Sequence, residues 1–357
     1  MENGVNDLDR AYSDKVALRK ASTAVGVLLI LFTAFIYISQ IVLLFVNVCI
    51  SNGGIPASYD IFVSRAAKFY SNSNFLIFNN SLTQIISLFC SVSIVSAFYK
   101  FKPLSIFKSI KDSLSKKDSD ECIIKDGEPN NKFSTKRIVL IVFPIVFMIN
   151  WASSLIISII IQAIESSGIR VPEADFSFNN LQPSTLIIYF LALCVFAPLI
   201  EEFLFRGCII NILKPFGNWF AVIVSSVFFS LLHGNMGQGF GAFLIGMLFG
   251  FVAIKTKSIL PTIILHSLNN FIPFLSSLIG NLKNQDNLQM VFSLMLMAIV
   301  IIGFVFFVIH FKDFKLDNNK SVCISNRKCY SVLFLNVFIF IYIIFELYMF
   351  FYQFVAA

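Results

Sequence analysis

Three short polar clusters, each set within an apolar stretch, carry the chemical potential of this chain. In the first, Pro198-Leu199-Ile200-Glu201-Glu202-Phe203-Leu204-Phe205-Arg206-Gly207, two adjacent acids precede an arginine. On a helix Glu202 and Arg206 stand at i and i+4 with the acid on the N-terminal side, so they can pair and neutralise each other. Glu201 is turned by about 100° from its neighbour, which leaves its carboxylate free for another task. In the second cluster, Phe229-Ser230-Leu231-Leu232-His233, an aromatic ring and an imidazole lie one turn apart on one face. The third, His266-Ser267-Leu268-Asn269-Asn270, puts two hydrogen-bond donors on one face, an arrangement suited to a developing oxyanion. Each cluster also has a plainer reading. These are a helix-stabilising charge cluster at the membrane edge, a satisfied core histidine and an interhelical polar clamp. Glu346, alone in the last apolar run, reads as a structural or interfacial acid near its outer end.

The elements that must position these residues are membrane helices. Of 357 residues, 57% are hydrophobic and 13% charged, and the mean hydropathy is +0.82, which is too apolar for an ordinary soluble fold. A hydrocarbon core about 30 Å thick takes roughly 20 apolar residues of helix to cross. Segments near 22–50, 75–98, 138–163, 184–213, 219–235, 240–254, 259–280, 289–311 and 331–354 approach that length, the fifth and sixth being short. The expected fold is therefore all-α, a polytopic transmembrane helical bundle of about eight to nine spans. It divides into an N-terminal segment 1–21, N-terminal spans over 22–183 with a polar loop at 99–137, a site-bearing core at 184–280, and C-terminal spans over 281–357. Counted at about 1.5 Å per residue from the inner helix ends, Glu201, His233 and His266 lie about 18, 22 and 12 Å deep, so one mid-membrane layer can hold them.

Basic residues stay on the cytoplasmic side, and with the N-terminus inside only Arg65, Lys68, Arg170 and Lys283 of the 27 fall outside. The expected location is the cell membrane, multi-pass, with a cytoplasmic N-terminus and a cytoplasmic loop at 99–137. The net charge of +7 then reflects topology and contact with anionic membrane lipid; no nucleic-acid partner is expected. The run from Ala21 to Ile50 is too long for a signal-peptide core and is expected to stay as a span. The terminal residues lack the cysteine of a prenylation box. Cys49, Cys90, Cys122, Cys194, Cys208, Cys323 and Cys329 show neither zinc-type spacing nor a disulfide framework and read as free thiols. Gly237, Gly241, Ala242, Gly246 and Gly250 give the sixth apolar segment a small-residue ridge for close packing. Pro261 suits a first helical turn, whereas Pro198 and Pro273 should kink their helices and free backbone groups near the site.

Taken in order on consecutive membrane helices, the three clusters resemble the CPBP family, which comprises type II CAAX prenyl endopeptidases and the Abi group of bacteriocin-processing or self-immunity proteins. The resemblance covers roughly residues 184–280. It implies an intramembrane endopeptidase that hydrolyses a peptide bond of a membrane-associated protein or peptide. Glu201 and His233 would activate a water, His266 and Asn270 would stabilise the tetrahedral oxyanion, and Glu202, Arg206 and Phe229 would support them. The family is often called metalloprotease, and His233, His266 and Glu201 could ligate zinc with one position open. No HExxH motif is present, and a metal-free glutamate mechanism fits the same residues. Two other classes share the residue pattern: a non-catalytic membrane regulator or immunity scaffold of the same fold, and a transporter relaying protons through intramembrane acids and histidines, for which no inverted repeat is seen.

Overall fold

The computed structural model describes residues 2–99, 102, 103, 106, 135–172, 183–280, 282, 286–317, 320–322 and 324–356. Most of the loop 99–137, together with Cys122 and Cys323, lies outside these residues. The described cysteines are free thiols.

The protein is an all-α polytopic bundle. Its helices are α1 (Glu2–Asn52), α2 (Tyr59–Tyr70), α3 (Ser73–Tyr99), α4 (Thr135–Ser166), α5 (residues 183–213), α6 (Asn218–Leu232), α7 (Met236–Thr256), α8 (Leu260–Gly280), α9 (Asp286–His310), α10 (Asn326–Phe334) and α11 (Val337–Ala356). Among the described residues, α1, α3, α4, α5, α7, α8, α9 and α11 are long and apolar enough to cross a membrane, while α6 has 15 residues. At about 1.5 Å per residue α6 falls short of a hydrocarbon core of roughly 30 Å.

Three boundaries differ from the sequence expectation, each for a local reason. α1 begins at Glu2 rather than near residue 22, because no proline interrupts the chain before Pro56 and the helix continues past the apolar run. The last expected span, 331–354, is two helices. Asn336 separates them: its carboxamide oxygen accepts from the Phe338 backbone N–H at 3.1 Å, and its amide donates to Thr23 Oγ1 on α1 at 2.9 Å. The short helix α2, read only as part of an outer loop, is capped by Ser58, whose hydroxyl accepts from the Ile61 N–H.

One apolar core joins α1, α3, α4, α5, α6, α7, α8, α10 and α11. α9 keeps little of its surface buried; Met290, Leu294, Ile301, Val305, Val308 and Ile309 all point outward. In a bilayer that face meets acyl chains, which are as apolar as the side chains themselves. The site helices approach closely through small residues. A Cβ on Gly246 would stand 3.2 Å from the Ser226 Cα on α6, and one on Gly250 would stand 3.0 Å from Val222. α9 docks on α4 in the same way, since a methyl group on Gly303 would overlap the Pro144 carbonyl oxygen.

Gly303→Ala should therefore overpack the α4–α9 contact and cost about 1–3 kcal/mol. A thermal melt of the detergent-solubilised protein checks this: the midpoint should fall for Gly303→Ala and hold for the outward-facing Val305→Ala.

Candidate functional site

The site is built around α5, and α5 is not a uniform helix. It widens into π-helical turns at Ala192–Phe196 and Phe203–Ile209, on either side of the segment Ala197–Glu202 that carries both acids. In the first π turn the Ala197 N–H bonds to the Ala192 carbonyl, five residues back. Continuing that register, the Leu193 carbonyl would need the N–H of residue 198, which is a proline and has none. The Asn270 amide on α8 fills that place, donating to the Leu193 oxygen at 3.0 Å. Pro198 thus frees a backbone group beside the acids, and a side chain from another helix satisfies it.

Glu202 is the centre of the buried polar network. Its Oε1 accepts from Arg206 Nη1 at 2.8 Å and from His266 Nδ1 at 2.8 Å, with Glu202 0% exposed, Arg206 1% and His266 5%. The second guanidinium arm reaches the Gly246 carbonyl on α7 at 3.3 Å. The guanidinium carbon lies 4.5 Å from the Phe229 ring centroid and 5.5 Å from that of Phe249, so two aromatic faces enclose the cation. Four helices, α5, α6, α7 and α8, therefore meet on one carboxylate–guanidinium pair.

Glu201 turns away from the Glu202–Arg206 pair, as the helical offset requires. Its Oε2 has no hydrogen-bond partner and lies 3.8 Å from His266 Nε2. His233 is not inside a helix, as the expected span 219–235 had it: α6 ends at Leu232, and Gly234 adopts a φ of +63° that turns the chain into α7. Asn235 then caps α7 by accepting from the Gln238 N–H at 2.9 Å. His233 Nδ1 lies 2.8 Å from the Phe229 carbonyl oxygen. A carbonyl only accepts, so Nδ1 carries a proton, and Nε2 is the nitrogen whose lone pair is open when the ring is neutral. Phe229 separates the two imidazoles, its ring centroid 4.8 Å from that of His233 and 5.8 Å from that of His266.

Glu201 and His233 line one cavity of about 230 Å³, several times the space one water needs. Glu201, Glu202, Arg206, Phe229, His233 and His266 form an unbroken chain of contacts. Asn270 stands apart from the cavity wall, on the Leu193 backbone and beside Asn269, whose own carboxamide oxygen accepts from Asn150 on α4 at 2.5 Å. Sequence reasoning did not single out Asn150 or Phe249, although Asn150 was visible as a carboxamide in the middle of an apolar run. Glu346 was visible as well, but it sits at the cavity rather than at an interface, 8% exposed.

The residue set named for zinc does not converge. Among the described residues no three His, Cys, Asp or Glu side chains gather as ligands. A tetrahedral ion therefore finds no three-point cradle in this arrangement.

Residues 183–272 match the family described as Rce1-like, type II CAAX prenyl endopeptidase Rce1-like. The matched stretch runs from the start of α5 into α8, contains every residue named above from the three clusters, and agrees with the resemblance to the CPBP family. No curated protein and no solved structure matches the chain.

Arg206→Met should strand the Glu202 charge among aromatic rings and cost about 3–5 kcal/mol, read as loss of folded protein from the membrane fraction. Adding Glu202→Gln to Arg206→Met should restore much of that protein, because a matched pair of neutral groups replaces the orphaned charge.

Proposed function

We propose that this multi-pass membrane protein, with its Rce1-like segment at residues 183–272, is an intramembrane endopeptidase that hydrolyses a peptide bond of a membrane-associated protein or peptide through a water activated by Glu201 and His233. The observation that carries the reading is the shared cavity: a Glu201 oxygen without a hydrogen-bond partner and the His233 ring border the same space.

A water held there can hydrogen-bond to Glu201 Oε2 and to the His233 Nε2 lone pair. Glu201 takes its proton as the water oxygen attacks the scissile carbonyl carbon. His266 Nε2 lies 3.8 Å from Glu201 Oε2. The Nδ1–H of the same ring is committed to Glu202, so Nε2 is the nitrogen directed toward Glu201, and in the protonated ring it is a donor to the new oxyanion. Asn270 has two amide hydrogens, of which the Leu193 carbonyl uses one, leaving a second donor. When the tetrahedral intermediate collapses, the proton held by Glu201 passes to the leaving nitrogen, and the C–N bond breaks to give an acid and an amine. Glu202 and Arg206 do not move protons in this scheme; they hold His266 and the backbone of α5.

Glu201→Ala should lower cleavage by about 10²–10⁴-fold while leaving the protein in the membrane at wild-type abundance. Its partner measurement is peptidomics of cells carrying the variant, in which the uncleaved substrate should accumulate. A chelator should leave the wild-type rate unchanged. Cleavage persisting in both Glu201→Ala and His233→Ala, with the cellular phenotype intact, would point instead to a non-catalytic scaffold.

A further inference from the structure

The wall of the cavity opposite α5 comes from helices outside the matched segment. α1 supplies Thr33 and Tyr37, α3 supplies Gln84, and α11 supplies Glu346. Two carboxylates, Glu201 and Glu346, thus border one space, and among the described residues no lysine or arginine lines it. Arg206, the cation nearest in sequence to Glu201, is spent on Glu202, the Gly246 carbonyl and the Phe229 ring. Thr33 Oγ1 and Glu201 Oε2 both lack hydrogen-bond partners, so acceptors in the cavity remain unused. Tyr37, packed edge-on against Phe345 at 5.9 Å between ring centroids, adds an aromatic surface of the kind that attracts cations. Acids within a membrane bundle are costly and are kept where a partner or a pathway needs them. Among the described residues the cavity carries two acids, unused acceptors and an aromatic ring, and whereas Glu201 has His266 at 3.8 Å, no cation pairs with Glu346.

We propose that Glu346 is a specificity-determining residue: with Tyr37 and Thr33 it receives a cationic group of the substrate, an ammonium or guanidinium, beside the bond that Glu201 hydrolyses. This rests on the proteolytic reading above. The cation is either a lysine or arginine side chain flanking the scissile bond or the free amino terminus of a short peptide. Both offer N–H donors to Glu346 and to the unpartnered Thr33 oxygen, and both neutralise the acid without a resident base. Selectivity for the substrate then comes from α1 and α11, while α5, α6 and α8 supply the chemistry.

The test uses full-length protein in proteoliposomes and a library of Leu/Ala-rich model peptides, each with one lysine moved along the chain. Matched peptides carry norleucine at that position, and every peptide is made with a free and with an acetylated amino terminus. Wild-type protein should cleave lysine peptides at least about tenfold better than their norleucine partners at one defined distance from the cut, or free-terminus peptides better than acetylated ones by a similar factor. In Glu346→Gln that ratio should collapse toward one; in Glu346→Asp it should persist; Glu346→Lys should favour peptides with glutamate at the same position. A wild-type ratio near one, or an unchanged ratio in Glu346→Gln, overturns the proposal. So does equal loss of lysine and norleucine cleavage in Glu346→Gln and Glu346→Asp, which would mark Glu346 as part of the proton chemistry or the fold. Absence of any Glu201-dependent cleavage across the library defeats the proteolytic reading itself, whereas Glu201-dependent cleavage indifferent to the cation defeats only this inference.

Discussion

A single carboxylate oxygen organises this protein. Glu202 Oε1 accepts from Arg206 on its own helix and from His266 on α8, both at 2.8 Å and both out of contact with solvent. An ion pair in such a place repays its desolvation only with close geometry and further partners, and those are supplied by the Gly246 carbonyl and the Phe229 and Phe249 rings. The same contacts draw four helices to one point. Because Glu202 turns inward, its neighbour Glu201 must turn outward, into the cavity that His233 also borders.

The backbone of α5 is shaped to the same end. Two π-helical turns flank the acids, and Pro198 between them withholds the N–H that the Leu193 carbonyl would otherwise use. Asn270 meets that carbonyl, and Asn150 and Asn269 lie behind it. Irregular helical backbone inside a membrane survives only where protein groups satisfy it, so the irregularity and the polar side chains of α4 and α8 are one feature. The small residues of α7 allow the close approach that brings the Gly246 carbonyl within reach of Arg206.

Much of this was legible in the sequence because helical spacing is a reliable ruler within one element. The Glu202–Arg206 pair and the edge-on contact of Phe229 with His233 follow from positions four apart, and the divergence of Glu201 follows from the step of about 100° between adjacent residues. Contacts between helices were not legible in the same way. Nothing in the spacing of Glu202 and His266, which are 64 residues apart, assigns the imidazole to that acid rather than to Glu201. The end of α6 at Leu232 was missed because Gly234 was not weighed as a turn former, and the break at Asn336 because one carboxamide in a long apolar run was outvoted by its neighbours. Glu346 stood out as an acid in a span, but its destination depends on how α11 packs on α1, which no local pattern encodes.

The central claim is that Glu202 holds His266 through Nδ1 and so directs Nε2 toward Glu201. Solid-state NMR of bilayer-embedded protein labelled with ¹⁵N at its three histidines, with His266 assigned by comparison with His233 and His310 variants, observes this directly. A protonated Nδ1 on His266, correlated through space with the Glu202 carboxylate carbon and shifting in Glu202→Gln, is the expected result. An unprotonated Nδ1, or a His266 signal indifferent to Glu202, would contradict it.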